Sequence, residues 1–459
     1  MFVVAGPEFG ALEGHTLVIF KALYGLRSSG LRWSEKFSLC LRDMGFSPSL
    51  ADPCIWMCRV DDHYEYIAVY VDDLAIASKN PAGIIRALTE VHKFKLKGTG
   101  PIEFHLGCDF FRDEEGVLCF APRKYIDKMV ASEERMFGSK PKTTKITSPL
   151  VKGDHPEIDD SAFLEDKEIQ QYQSLIGQLQ WAISLGRFDI VVAIMTMSSF
   201  RSAPRVGHLE RVKRICGYLS KMRHSVIRIC TNEPDYSDIP RTEYDWEFSV
   251  YDGAKEEIPN DTPVPLGKPV VTTTYVDANL YHCMLTGKSV SGVLHLFNKT
   301  PTNWYAKKQG SAETATYGSE YVSARTANEH VIDNRLSLRY LGVPAVKESF
   351  MFGDSESVLN SSNIPTGKLH KRHIALSWHR VGESIAAKIL HFVHIPGAIN
   401  PADMLSKHWG YQQMRMRTQP QALLFWQGNT AALLKEEKST SPDTIMFGLS
   451  GSDKISIHG

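Results

Sequence analysis

Long apolar runs are missing from this chain. No stretch approaches the ~18–20 residues that span a bilayer, and the first residues lack the basic-then-apolar order of a secretory leader. A membrane partner is therefore not expected. Cysteine is sparse and unpatterned: eight residues scattered over 459 give no disulfide framework. The closest pair, Cys54 and Cys58, would need two more ligands to hold zinc, and only His63 lies near. Buried free thiols in a reducing compartment are the expectation. No segment repeats. An excess of one charge sign is absent too, since 52 Lys and Arg balance 52 Asp and Glu. The balance conceals segregation. Residues 187–228 carry nine Lys or Arg against two acids, and residues 232–261 carry ten acids against two bases. A basic face beside an acidic connector fits a nucleic-acid protein, and a solvated helix face is the bland alternative.

What is present is ordinary globular material, 43% hydrophobic and 23% charged, in a chain long enough for two or three cores. Residues 28–46 have helical spacing, with Leu31, Trp33, Phe37, Leu41 and Met44 on one side. Tyr66–Val71 and Leu74–Ala77 read as strands joined by a tight turn that carries Asp72 and Asp73. A helix is predicted over 82–97, a hairpin from 102–111 and 116–120, and helices over 169–185 and 204–223. Beyond the acidic, proline-bearing stretch 232–268, strands over 271–276, 290–297 and 301–307 precede a helix over 316–341 and a strand over 348–353. That order is a mixed α/β layout. The tail after about 436 is rich in Ser, Gly and Asp and reads as disordered.

Four carboxylates in this second half sit in separate local contexts: Asp277 in TTYVDANL, Glu320 in GSEYVSAR, Asp354 in FMFGDSES and Asp403 in NPADMLSKH. Asp277 is expected to close its strand at the sheet edge. Asp354 follows a strand, Glu320 lies in the first turns of the long helix, and Asp403 follows a helix-start signal. A single Asp in such a place is usually a cap or a turn residue. Four acids that only folding can bring together are what a two-metal nuclease needs, because Mg²⁺ prefers oxygen ligands and two ions clamp the attacking and leaving oxygens of a scissile phosphate.

The segments TTYVDANLYHCMLTGKSVSG, SAETATYGSEYVSARTA, FMFGDSESVL and HFVHIPGAINPADMLSKHWG, in this order, resemble the ribonuclease H domain of copia-type LTR retrotransposons over roughly 271–410. The resemblance implies that Asp277, Glu320, Asp354 and Asp403 hold two Mg²⁺ ions, with Mn²⁺ as the alternative, and cut the RNA strand of an RNA–DNA hybrid. Glu313 lies seven residues before Glu320, but the GSEYVSA context favours Glu320. His394 has two readings, a helper in proton transfer or product release and a structural histidine. Where an acid would be expected, position 283 carries Cys.

The first half resembles the polymerase of the same elements. KALYGLRSSGLRW, ADPCIW, the Tyr70-Val71-Asp72-Asp73 hairpin, HLGCDFF and YQSLIGQLQWAISLGRFDI follow in family order over about 1–230. Asp72 and Asp73 would be polymerase acids and Asp72 a metal ligand. The family's partner acid lies on an earlier palm strand, and no Asp or Glu precedes Glu8. The expectation is a multidomain chain of α/β and α+β parts. It comprises a truncated reverse transcriptase palm (1–137), a helical thumb or connection (138–231), an acidic linker (232–268), a ribonuclease H-like mixed-sheet domain (269–412) and a C-terminal extension (413–459). Arg201, Arg205, Arg211, Lys213 and Arg214 could track the phosphates of a hybrid or template-primer. Other parts of a Pol polyprotein would be partners, in cytoplasmic virus-like particles with a nuclear destination. Two rivals stand beside the ribonuclease: a catalytically silent nucleic-acid-binding remnant, and a full RNA-directed DNA polymerase whose early palm strand has been lost from this reading frame.

Overall fold

The computed structural model describes residues 2–18, 29–345 and 347–408, and the backbone of 425–426. The expected C-terminal extension with its disordered tail, and residues 21–28 of the KALYGLRSSGLRW segment, lie outside the described residues apart from that backbone. The chain divides into two compact units. One comprises Met1–Pro101, Thr262–Lys268 and Ser337–Pro344; the other comprises Ile102–Asp261, Pro269–Leu336 and Ala345–Gly459.

In the first unit, β1 (Phe2–Val4) pairs antiparallel with β2 (Thr16–Val18). Helix α1 (Ser29–Asp43) buries Phe37, Cys40 and Leu41, the face read from spacing. It stops where Gly45 takes φ +85°, which lets Phe46 N–H reach Leu41 O at 2.9 Å and Gly45 N–H reach Arg42 O at 3.0 Å. This 6→1 and 5→2 pair caps the free carbonyls, and only Gly adopts that φ cheaply. Strands β3 (Ser47–Pro48), β4 (Ile55–Val60), β5 (His63–Tyr70) and β6 (Asp73–Ala77) form an antiparallel sheet in chain order. Phe37, Leu41, Trp56 and Ile67 fill the core beneath it. The helix predicted over 82–97 is shorter: α2 (Pro81–Arg86), capped by the Asn80 side chain, gives way to one wide turn at Ala87–Val91. Lys93, with φ +60°, marks the reversal.

The second unit opens with β7 (Phe104–His105), β8 (Cys108–Arg112) and β9 (Leu118–Ala121), the predicted hairpin. The break at residue 101 thus falls inside the stretch expected as palm, because β9 pairs with β10 (Ser225–Arg228) and ties the hairpin to the helices. These are α3 (Arg123–Phe137), α4 (Asp166–Ser184), α5 (Val191–Ser198) and α6 (Val206–Lys221). Their core holds Tyr172, Leu175, Leu179, Phe188, Ile215 and Leu219. Arg187 is buried there, paired with Asp189 at 2.7 Å, and Tyr218 donates to the same carboxylate at 2.8 Å.

The mixed sheet follows: β11 (Thr272–Asn279), β12 (Val290–Phe297) and β13 (Thr300–Lys308) are antiparallel. Helix α7 (Thr316–Tyr340) then crosses to β14 (Ser349–Gly353), which pairs parallel with β11. After α8 (Glu356–Asn363) and α9 (Ala375–Ala386), β15 (Leu390–His394) pairs parallel with β14. The short helix α10 (Asp403–Ser406) follows. The backbone of β16 (Phe425–Trp426) pairs with β10. The strand order β13-β12-β11-β14-β15 makes β11 central, buried at seven of its eight residues. This is the ribonuclease H-like α/β arrangement the motifs implied. Buried hydroxyls on β11 find partners: Thr273 with Tyr236 at 2.9 Å and Thr274 with His295 at 2.8 Å.

Residues 232–268, expected as a linker, divide. The part up to Asp261 belongs to the second unit and packs as a strap. Tyr236 lies against Phe350 and Phe352, and Tyr251 lies against Trp378 and donates to or accepts from His379 at 2.9 Å. Glu256 takes both forks of buried Arg335 at 2.7 and 2.8 Å. The acidic count hid these anchors, since each is a single residue among solvated charges.

Candidate metal centre

Three of the four singled-out acids converge. Asp277 on β11, Glu320 one turn into α7 and Asp354 just past β14 each place a carboxylate oxygen within 4.8 Å of the other two. Oxygens sharing one Mg²⁺ at ~2.1 Å lie at most ~4.2 Å apart, so a small contraction suffices, and the all-carboxylate set suits a hard cation. Asp277 does not close a strand at a sheet edge. It sits in the central strand, two residues before its end, and is 1% exposed.

Asp403, the first residue of α10, is buried beside Asp277 but is not one of the three, because Lys407 stands between them. The Lys407 ammonium lies 2.5 Å from Asp403 Oδ1, 3.2 Å from Asp277 Oδ2 and 3.3 Å from Asp277 Oδ1. Ser406 Oγ donates to Asp277 Oδ2 as well. Glycine makes this approach possible. Gly292 pairs with Asp277 across the sheet, and a Cβ there would stand 2.8 Å from Ala402 O and 2.9 Å from Ser406 N. A Cβ at Gly397 would stand 2.7 Å from Asp354 Oδ2. Lys407 was not singled out by sequence. Its signal was the i,i+4 spacing from Asp403 at a helix start.

The electrostatics follow from desolvation. Burial pushes the Asp277 carboxyl up to about 8, against the pull of Lys407 and with help from Asp403 and Asp354. Burial, then the charges of Asp277 and Asp354, hold Glu320 well above the carboxylate range. Burial raises Asp354 too, while Lys407 and, more weakly, His394 draw it down. For Lys407, burial works against the charge, but Asp277 and Asp403 outweigh it and hold its pKa above the usual lysine value. Carboxyls so disfavoured as anions are groups that a bound cation would relieve.

Glu313 is buried away from this cluster, accepting from His373 at 2.7 Å and Ser311 at 3.2 Å, so geometry separates it from Glu320 as its context did. His282 bridges Asn279 at 3.0 Å and Thr196 on α5 at 3.1 Å, and burial drives its pKa down to about 4. All eight cysteines are free thiols.

Asp72 and Asp73 stand at the exposed tip of the β5–β6 hairpin, where Val71 takes φ +55°, a strained value for a β-branched residue. Among the described residues, no third acid joins them in a metal-sized cluster. The five bases do not form an open stripe. Arg211 is committed to Asp154 at 2.9 Å and Asp159 at 2.5 Å, and Arg205 donates to Ser161 O and stacks on Phe163. Lys213 pairs with Glu210 at 3.0 Å, and Arg214 is half-buried near Ser148. Arg201 is exposed. No helix among the described residues is long and apolar enough to cross a membrane.

Residues 1–148 match the sequence family described as reverse transcriptase (RNA-dependent DNA polymerase). The chain is 24% identical over 392 residues to the retrovirus-related Pol polyprotein from transposon TNT 1-94 of Nicotiana tabacum, covering 84% of this chain and 26% of that protein. It is 26% identical over 319 residues to a putative transposon Ty5-1 protein of Saccharomyces cerevisiae, covering 69% and 88% respectively. The Pol polyprotein from transposon RE1 of Arabidopsis thaliana is 24% identical over 392 residues, covering 84% and 24%. The chain thus spans about a quarter of the two plant polyproteins. Among solved structures, the foamy viral protease–reverse transcriptase with double-stranded DNA aligns over 72% of this chain and 46% of that one, at 13% identity and TM-score 0.35.

Proposed function

The chain is a relative of copia-type retrotransposon Pol polyproteins, and on that premise we propose that its mixed-sheet part is a Mg²⁺-dependent ribonuclease H that cuts RNA in RNA–DNA hybrids. The observation that carries this reading is the convergence of Asp277, Glu320 and Asp354, three sequence-distant carboxylates with oxygens within 4.8 Å of one another. Divalent ions bound there would supply a more acidic attacking water and positive charge at the leaving 3′ oxygen. Asp277, Glu320 and Asp354 would hold them, with Asp403, now paired with Lys407, as the fourth ligand. Gly292 and Gly397 let backbone and carboxylates close on one another. Preference for RNA rests on contacts to the 2′-hydroxyl.

The test is cleavage of a labelled RNA–DNA hybrid with Mg²⁺. Asp277→Asn and Asp354→Asn should each abolish RNA cutting while leaving the protein folded. Wild-type protein without activity, or variants that cut as fast as wild type, would leave the catalytically silent remnant as the better reading. The hairpin acids Asp72 and Asp73 have no third carboxylate in reach among the described residues, so primer extension by this chain alone is expected to be absent. Extension lost in Asp72→Ala would establish the polymerase instead.

A further inference from the structure

Among the three converging acids, Glu320 alone is carried by a helix, and its neighbours work against its place. The charges of Asp277 and Asp354 both disfavour it as an anion, so repulsion acts to lift the first turn of α7 off the sheet. Gln309, the residue after β13, lies against that turn and is 5% exposed. Its backbone N–H donates to Ser289 O at 2.8 Å, which pins it to the residue before β12. Its side-chain Nε2 reaches Ser319 O at 2.9 Å, Ser291 Oγ at 3.0 Å and Ser323 Oγ at 3.3 Å.

Ser319 O is the carbonyl of the peptide bond that leads into Glu320. It can only accept, so the amide has to turn its nitrogen, not its oxygen, toward it. Ser323 Oγ closes the network by donating to Ser291 Oγ at 2.7 Å. Ser291 in turn stands beside Gly292, which pairs with Asp277 across the sheet. One buried amide thus links the strand next to Asp277 with the backbone of Glu320. Ser291, Ser319 and Ser323 are all buried, so solvent does not take over from a lost donor. The rest of α7 has other anchors: Tyr321 and Ala324 pack in the core beneath α8, and Tyr321 Oη bonds Ser361 at 2.9 Å. Those contacts keep the helix docked, and the amide fixes its first turn.

We infer that Gln309 is a positioning residue for the metal centre: its amide holds the first turn of α7 against β12 and so keeps the Glu320 carboxylate within reach of an ion shared with Asp277 and Asp354. The inference rests on the metal-centre reading above.

Mn²⁺ affinity of the full chain without nucleic acid, with free ion read by electron paramagnetic resonance, tests it in a double-mutant cycle with Glu320→Gln. Gln309→Met keeps the length of the side chain and removes its donors. It should weaken Mn²⁺ binding about 10-fold, the scale of one hydrogen bond's net contribution. Once Glu320→Gln has removed the carboxylate that Gln309 serves, the same change should cost less than about 2-fold. Unchanged affinity in Gln309→Met, or an equal loss in both backgrounds, would reduce Gln309 to a folding role and leave the metal centre standing. Should thermal melting show that Gln309→Met does not fold, Ser323→Ala takes its place in the cycle, with about 3-fold expected, and is judged by the same two results. No Mn²⁺ bound by wild type, or Mn²⁺ held as tightly by Asp277→Asn and Glu320→Gln as by wild type, would overturn the metal centre and this inference with it.

Discussion

The β5–β6 hairpin and the mixed-sheet cluster both present acids, and they differ in what surrounds them. Asp72 and Asp73 are neighbours in sequence and face water at a turn. Asp277, Glu320 and Asp354 come from positions far apart in sequence and meet where Asp277 is buried and the other two are partly so. Exposed acids are comfortable as anions and gain little from a cation. Buried acids that repel one another store free energy that cation binding releases. Adjacency in sequence made the hairpin easy to notice, whereas the acids that crowd together are the ones the sequence spread out.

The sharpest way to break this contrast is to neutralise one acid in each place. Asp277→Asn should lower hybrid cleavage by roughly 10³-fold or more, the scale of metal-derived stabilisation of several kcal/mol. Asp72→Asn should leave the same assay unchanged. Equal losses would mean the two regions act together in cleavage. A smaller effect should come from Gly292→Ala, whose methyl would push against Ala402 O and Ser406 N and move Ser406 and Lys407 off Asp277. A displacement near 1 Å costs about 10²-fold in rate, so cleavage should fall by 10- to 100-fold while the hairpin is untouched.

Stability against pH separates the regions further. The folded pKa of Asp277, about 8, exceeds its ordinary value of 3.8. Its protonated form therefore stabilises the fold fully below pH ~4, and that contribution is lost as pH rises toward 8. Metal-free protein should lose a few kcal/mol of unfolding free energy across this window, read by urea melts, and saturating Mg²⁺ should flatten the slope. A slope that survives in Asp277→Asn would assign it to other groups. Buried Glu133, raised to about 7 by desolvation, is one such group. The smallest effect is expected from Asp72→Asn/Asp73→Asn, which should leave the melting temperature unchanged.

Much of the mixed sheet was legible before folding. β12 spans the predicted residues, β13 is a residue longer at each end, α7 ends a residue early and β14 starts a residue late. Helix α5 was not, because VVAIMTMS is apolar all round and carries no 3.6-residue period. Strand β15, five residues with His391 and His394 among apolar ones, gave too short an alternation. Within the centre, the acids were found through their flanking motifs, since a lone Asp carries no signal of burial. Lys407 and Gly292 were passed over because their roles exist only across the sheet: one neutralises, and the other lets α10 come close.

That close approach has a consequence for copies of such an element that no longer move. Met404 and Leu405, between Asp403 and Lys407, belong to the main core, so packing alone retains the α10 turn. The carboxylates are the opposite case, since burial disfavours Asp277 and Glu320 as anions in the metal-free fold. In a lineage released from selection on cleavage, loss of those acids would be favoured by folding itself. The scaffold would outlive the chemistry, and decay would be written first at positions 277 and 320, in proteins that melt later than their active ancestors.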